Sequence, residues 1–276
     1  MKNRVVITIA ALTVLASTTI TLADKAEPIV SMLATPKRLL FDDDGSIVRG
    51  GKKAVKLNEE NTVRAWAGKW AKSDSAWRST WAHGMGHTPV VAYETKPVRN
   101  LIVEVTFRYG AMFESWHNQC FRITLDNRSL YTGHILSAWA NPNNDFIETG
   151  MLLQHIQKKP DKTIVSDLLL DRQSLKVETG KWNTAILEIV GEEALFRMGT
   201  HVAYAKLKKL NVDKTKVALT LGKTWHEVKR VRVWEAEART NPVWAKQKAK
   251  VLGKRKEFKA QPHDYKKATS PKKKSS

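Results

Sequence analysis

Glycosidic bonds are cleaved by paired carboxyl groups, one protonating the leaving oxygen and the other acting as base or nucleophile. Asp145 and Glu148 are a candidate pair, because they follow the loop-forming run Asn141-Pro142-Asn143-Asn144. Three positions apart, they would face opposite ways on a strand, but a loop could bring them together. The alternative is a pair of solvated loop acids. His134, directly after Gly133, is a candidate general base, or else a packed or surface histidine. His83 and His87 have the i,i+4 spacing of helical zinc ligands. Gly84 and Gly86 argue against a helix there, and the glutamate of the zinc-protease motif is missing. Asp42, Asp43 and Asp44 could supply oxygens to a structural calcium ion, or simply form a turn before Gly45. No other cofactor is suggested. Cys120 is the single cysteine, so no intrachain disulfide is possible, and its apolar surroundings suggest a buried small hydrophobe. No Gly-x-Ser-x-Gly elbow, phosphate loop or Cys-x-x-Cys pair is present.

The aromatic residues offer a different chemistry. Trp is abundant, at 10 residues, and can either fill a core or present a flat face for stacking. Trp66, Trp70, Trp77 and Trp81 fall on one face at helical spacing. Gly68, Ser73, Ser75 and Ser79 weaken a helix, so strands and a loop are expected, with these rings mainly in the core. The alternative is a stacking platform for sugar rings, to which Trp116 and Trp139 would add.

The elements that must position these groups read as strands. Leu101, Val103, Val105, Phe107 and Tyr109 alternate with Glu104, Thr106 and Arg108, the period of two of a half-buried strand. Phe121–Leu125 reads as a strand ending at Asp126-Asn127, and Gly133–Trp139 as one stopped by Asn141-Pro142. Trp182–Val190, Ala194–Met198 and His201–Ala205 form a meander linked by Gly-containing turns. Val217–Leu221 and Val228–Trp234 follow, with a turn or short helix over Lys206–Asn211. The expected fold is mostly β, a two-sheet antiparallel sandwich over residues 37–236.

The ends differ from this middle. Lys2 and Arg4, the apolar run Val5–Ala16 and the small residues before Asp24 follow the pattern of a secretory signal peptide, residues 1–23. Export to the periplasm or outside the cell is the expectation, with no transmembrane span after cleavage; a retained N-terminal anchor is the alternative. Residues 24–36 read as a leader. From Glu237 to Ser276 there are thirteen Lys or Arg and three acids, half of the chain's net charge of +20. Lys254, Arg255, Lys256, Lys266, Lys267, Lys272, Lys273 and Lys274 suit diffuse attraction to an anionic polymer. This stretch is expected to be largely disordered, with a helix at most over Pro242–Phe258. It suggests no specific nucleic-acid readout.

One resemblance rests on strand motifs. Gly180-Lys181-Trp182-Asn183-Thr184 through Gly191-Glu192-Glu193 is similar to a strand-turn of concanavalin A-like sandwiches. Val231–Glu235 resembles the closing strand of the laminin-G-like or 3-keto-disaccharide hydrolase group, common in planctomycete-type bacteria. Leu101–Tyr109 resembles an early strand of that group. The likeness implies a jelly roll with an extracytoplasmic, carbohydrate-related role. It transfers no catalytic residue, because the Glu-x-Asp-x-x-Glu motif of laminarinase-like enzymes is absent. The group's Asn-Ser-Gly signature is also missing, where Trp116-His117-Asn118-Gln119 stands. The leading expectation is a sandwich that binds carbohydrate or an anionic envelope polymer. A glycoside or 3-keto-disaccharide hydrolase and a structural or assembly protein of the envelope are the alternatives.

Overall fold

The alternation along Leu101–Tyr109 buries Leu101, Val103, Val105, Phe107 and Tyr109 to 2% exposure or less, so this strand forms part of the core wall. The structure is a computed structural model. It describes residues 30–44, 53–74, 76–81, 87–111, 118–127, 129, 132–144, 149–159, 161–240, 242–253 and 258–263. The strands are, in chain order, β1 (Ala34–Asp43), β2 (Val55–Lys56), β3 (Thr62–Ala67), β4 (Lys69–Ser73), β5 (Ala76–Thr80), β6 (Val90–Val98), β7 (Leu101–Tyr109), β8 (Asn118–Asp126) and β9 (Thr132–Asn144). Then come β10 (Gly150–Lys158), β11 (Ile164–Gln173), β12 (Trp182–Val190), β13 (Glu193–Met198), β14 (His201–Lys206), β15 (Lys214–Leu221), β16 (His226–Ala238) and β17 (Gln261–Pro262). A 3-10 turn, Lys208–Leu210, precedes β15, and one helix, α1, spans Val243–Leu252.

These strands make two antiparallel sheets. One has eight strands in the order β14-β13-β12-β7-β16-β5-β4, with β1 also on β16. The other has nine, in the order β17-β11-β10-β9-β8-β15-β6-β3-β2. The protein is thus a mostly β, two-sheet antiparallel sandwich. The inner faces share one apolar cluster. At its centre the Phe107 ring of β7 stacks on Phe121 of β8, centroids 3.8 Å apart. Phe41 and Tyr93 stack in the same way at 4.8 Å. The Tyr109 hydroxyl crosses the core to donate to the carbonyl of Ala140 at 3.0 Å. Cys120 is buried, and burial pushes its thiol up to about 12, so it is a packing residue and not a reactive thiolate.

Several sequence boundaries move. β9 runs through Asn141 and Pro142 to Asn144, where a stop was expected. The Pro142 position is tolerable because the pairing with β10 begins at Asn141, next to the end of the ladder. β1 begins at Ala34, inside the expected leader, and carries Asp42 and Asp43 as strand residues, not turn residues. β6, β10 and β11 were not anticipated, because their apolar runs lack the period of two. α1 lies within the stretch where a helix was expected, but it is docked: Trp244 is 1% exposed and packs against Leu33, Leu195 and Tyr204. Pro242 precedes the helix, and Gly253 closes it by donating its N–H to Ala249 at 2.8 Å.

The four spaced tryptophans do not share a face. Gly68, at φ +83°, turns the chain out of β3 in one sheet into β4 in the other. A Cβ there would lie 2.6 Å from that of Pro89. Trp66 and Trp70 consequently end on different layers. Trp77 is in the core, and Trp70 packs partly against it.

A lysine in the core has a measurable consequence. Lys214 is 1% exposed and its ammonium donates to the carbonyls of Arg99 and Leu210, at 2.5 and 2.8 Å. Burial pushes it down to about 7. The unfolded chain keeps this proton up to roughly pH 10.4. Between about pH 7 and that value the unfolded state therefore binds more protons, and stability attributable to this group rises with pH. Thermal unfolding between pH 7 and 8.5 is expected to show a rise for the natural chain relative to Lys214→Met; parallel pH curves would refute it.

Candidate functional site

The two outer faces of the sandwich are used differently. On the eight-stranded sheet, charged side chains are tied to each other. The Glu227 carboxylate is buried and accepts from Arg78, Arg108 and Ser73. Arg232 is paired with Glu104. Near the chain ends the same face is covered by residues 31–34 and by α1. The Glu188 carboxylate, fully buried, accepts the backbone N–H groups of Met32, Leu33 and Ala34 at 2.8–3.0 Å and is paired with Arg197 at 2.9 Å.

The nine-stranded sheet instead leaves an open trough. Strand pairing aligns Arg64, Ala92, Ala218, Thr124 and Ser137 in one row across β3, β6, β15, β8 and β9. Four interstrand spacings make this row about 19 Å long. Its central members are small, so the middle of the face is sunken. Val90, Ala92 and Ala218 form a small apolar floor separate from the main core.

Larger side chains from the two neighbouring rows make the walls. On one side Thr220 pairs with Arg122, and Arg122 with Trp139. Trp66 stands at the end of that side, carried on the bulge between Ala65 and Ala67. On the other side Glu94, Lys216 and Asp126 are cross-strand neighbours, with His134 beside Asp126. The enclosed part has a volume of about 180 Å³.

The walls are held in place. The Arg122 guanidinium lies over Trp139, 4.4 Å from the ring centroid, and donates to Thr220 Oγ1 at 3.1 Å. Trp139 Nε1 donates to Gln154 Oε1 at 3.0 Å, and Gln154 Nε2 to Asp167 at 2.7 Å. The Trp66 ring meets His87 edge-on at 4.9 Å and is 47% exposed. Asp126 is gripped by His134 Nδ1 at 2.8 Å and Lys216 Nζ at 3.0 Å. Burial raises this carboxyl, but those two partners outweigh burial and hold it below its ordinary range, so it stays an anionic acceptor. Gly133 lets β9 start close to β10. Its φ is +130°, and a Cβ would lie 2.4 Å from the carbonyl of Ile156, one residue before His134 is set beside Asp126.

The floor also has unused hydrogen-bonding capacity. Thr124 Oγ1 and Ser137 Oγ are buried on adjacent strands, and among the described residues neither has a hydrogen-bond partner; nor does Arg64 Nε. Buried polar atoms of this kind are normally satisfied. An aromatic face, an anionic acceptor, two guanidinium groups and the Thr124 hydroxyl beside an apolar floor suit a polyhydroxylated ligand that also has an apolar face.

The candidates read from sequence are distributed as follows. Trp66, Trp139 and His134 are brought together around the trough. Trp77 is core, Trp70 is half-buried, and Trp81 lies under the ammonium of Lys223 at 4.8 Å. The expectation that Trp66 serves the core is thus corrected. Asp145, Glu148 and Trp116 lie outside the described residues, as do His83, residues 1–23, and Lys254, Arg255, Lys256, Lys266, Lys267, Lys272, Lys273 and Lys274. Asp42 is paired with Arg230 at 2.6 Å, Asp43 accepts from Tyr93 at 2.9 Å, and Asp44 is exposed. Among the described residues no cluster of three His, Cys, Asp or Glu side chains is placed to hold a metal ion. Arg64, Thr124, Arg122, Asp126 and Lys216 were not singled out from sequence. Their signal was the outward half of the alternation in Thr62–Ala67, Phe121–Asp126 and Lys214–Leu221.

No family model and no curated protein matches the chain. Among solved structures it is similar to a protein of unknown function with a galectin-like fold from Bacillus subtilis, at 9% identity over 75% of this chain and 100% of that one, with a TM-score of 0.49. It is similar as well to the CBM2 module of an evolved Dit of Lactobacillus casei BL23 phage J-1, at 8% identity over 77% and 100%, TM-score 0.48. A third is the exoplasmic/lumenal domain of VIP36, at 6% identity over 75% and 93%, TM-score 0.45. Among the described residues no helix is long and apolar enough to cross a membrane.

Proposed function

We propose that this chain is an exported carbohydrate-binding sandwich whose saccharide seat is the trough on the nine-stranded sheet. The observation that carries the reading is Trp66, half exposed and steadied by His87 at the open end of a groove lined by Thr124, whose buried hydroxyl has no partner among the described residues. A sugar ring has an apolar face to lay on the indole and hydroxyls to meet Thr124, Arg122 and Asp126. The basic stretch after residue 253 would keep the protein near anionic envelope polymers, a role that needs no fold.

A panel of soluble oligosaccharides titrated calorimetrically tests this. Trp66→Ala is expected to weaken binding by roughly tenfold or more. The melting temperature should hardly move, because the ring is largely outside the core. Equal affinity for the variant would remove the trough from consideration.

A second reading, a glycoside or 3-keto-disaccharide hydrolase, is favoured by the His134–Asp126 hydrogen bond, the pairing that orients a general base. Release of reducing sugar that disappears in His134→Asn, with binding retained, would identify the enzyme. Binding without turnover leaves the module.

A further inference from the structure

The charges on the trough walls are matched among themselves. Glu94 is the cross-strand neighbour of Lys216 and lies 4.0 Å from Arg64. Asp126 holds Lys216 and His134. The floor between the walls is unmatched in another way. Strand pairing sets Ala92 beside Ala218, with Val90 two residues from Ala92, and the three form an apolar patch only 2–7% exposed. The same row puts Arg64 one strand beyond Ala92 and Thr124 one strand beyond Ala218. Two hydrogen-bonding atoms therefore flank the apolar floor, Arg64 Nε and Thr124 Oγ1. Both are buried, and neither has a hydrogen-bond partner among the described residues. Buried polar atoms are normally satisfied. A guanidinium nitrogen can only donate and a hydroxyl can donate, so an acceptor would serve either. Thr124 lines the recess but is 1% exposed, too deep for the face of a sugar ring lying on Trp66. A slender substituent of that ring is what reaches it.

We infer that the trough selects acetylated saccharides: a sugar ring rests on Trp66 while an acetyl substituent enters the recess, its methyl on Val90, Ala92 and Ala218 and its carbonyl oxygen accepting from Thr124. This inference rests on the saccharide reading of the trough. An acetyl group is neutral, as the matched walls require, and it sets an acceptor directly beside a methyl. A bare hydroxyl would lay a polar group on the apolar floor, and a carboxylate would bring a charge and no methyl. Water finds no partner on such a floor, so an apolar group that displaces it gains affinity. N-acetyl and O-acetyl groups share this chemistry.

The experiment uses the full chain and three trimers: glucose, its O-acetylated form and N-acetylglucosamine. The formyl counterpart of the tighter acetyl ligand follows; it keeps the carbonyl and lacks the methyl. Calorimetry is run on the natural protein, Thr124→Val, Ala218→Ser and Trp66→Ala. One acetylated trimer is expected to bind roughly tenfold or more tighter than the glucose trimer, and the comparison of the two tells ester from amide. The formyl ligand should lose roughly tenfold against its acetyl parent, the usual value of one methyl in a fitted apolar pocket. Thr124→Val keeps the shape of the side chain and removes the hydroxyl. It should cut the preference by roughly three- to tenfold. Its melting temperature should not fall, because that hydroxyl bonds to none of the described residues. Ala218→Ser sets a hydroxyl under the methyl and should reduce the preference as well.

Equal, Trp66-dependent binding of acetylated and plain trimers would overturn the inference and leave the saccharide reading intact. A formyl ligand held as tightly as its acetyl parent would overturn it too, since the floor would then contribute nothing. So would a preference that Thr124→Val and Ala218→Ser both leave unchanged, by placing the acetyl group elsewhere. No Trp66-dependent binding of any trimer would overturn both.

Discussion

Glu188→Ala is expected to destabilise the fold by about 3–5 kcal/mol, the usual cost of removing one partner from a buried charge network. The carboxylate of Glu188 has no exposed surface and receives three successive backbone N–H groups from Met32, Leu33 and Ala34. It also neutralises Arg197. The substitution strands three amides at once and removes one partner of Arg197, and each buried unsatisfied donor costs roughly 1–3 kcal/mol. Glu188→Gln keeps an acceptor but turns an amide NH₂ toward donors, so an intermediate loss is expected. Urea denaturation of the three proteins checks the order. A loss below 1 kcal/mol would mean that residues 31–34 are not held by this carboxylate.

Trp244→Ala is expected to cost a comparable amount, ~3–5 kcal/mol, because it empties a large buried site in the small cluster of Leu33 and Leu195. The consequence is local before it is global. Trp244 donates its backbone N–H to Met32 at 3.0 Å, and Met32 is also a ligand of Glu188. The two substitutions therefore loosen one corner, and the double variant should lose less than the two single losses added together. Protease nicking near residue 243 should accelerate in Trp244→Ala. Wild-type resistance in that variant would show that α1 does not depend on the indole.

Parts of this were legible from residue order. β7 and β12 were read to their ends, because polar residues recur at every second position of most of each strand (Glu104, Thr106 and Arg108; Thr184 and Glu188) and both close on glycine, Gly110 and Gly191. β10 was not, since Met151, Leu152 and Leu153 are apolar in succession and erase the period of two. Such a run arises because both faces of that strand are covered. The site was only partly legible. Trp139 and His134 could be suspected from residue type alone. Arg122 and Thr124 could not be told from any outward strand residues, because what distinguishes them is which strands lie beside β8. Sheet order is set by long-range pairing, as when Lys216 meets Asp126 across ninety residues, and local patterns do not encode it. The helical spacing of the four tryptophans misled for the opposite reason: Gly68 breaks the segment across two layers, and a periodic pattern has no meaning across that corner.

The most direct test is a titration with a saccharide that binds, followed through the indole N–H signals of the ten tryptophans by proton–nitrogen correlation spectra. The Trp66 and Trp139 signals should move together and saturably, while those of buried Trp77, Trp234 and Trp244 stay in place. Movement of Trp182, on the opposite sheet, with Trp66 unmoved would contradict the assignment of the trough.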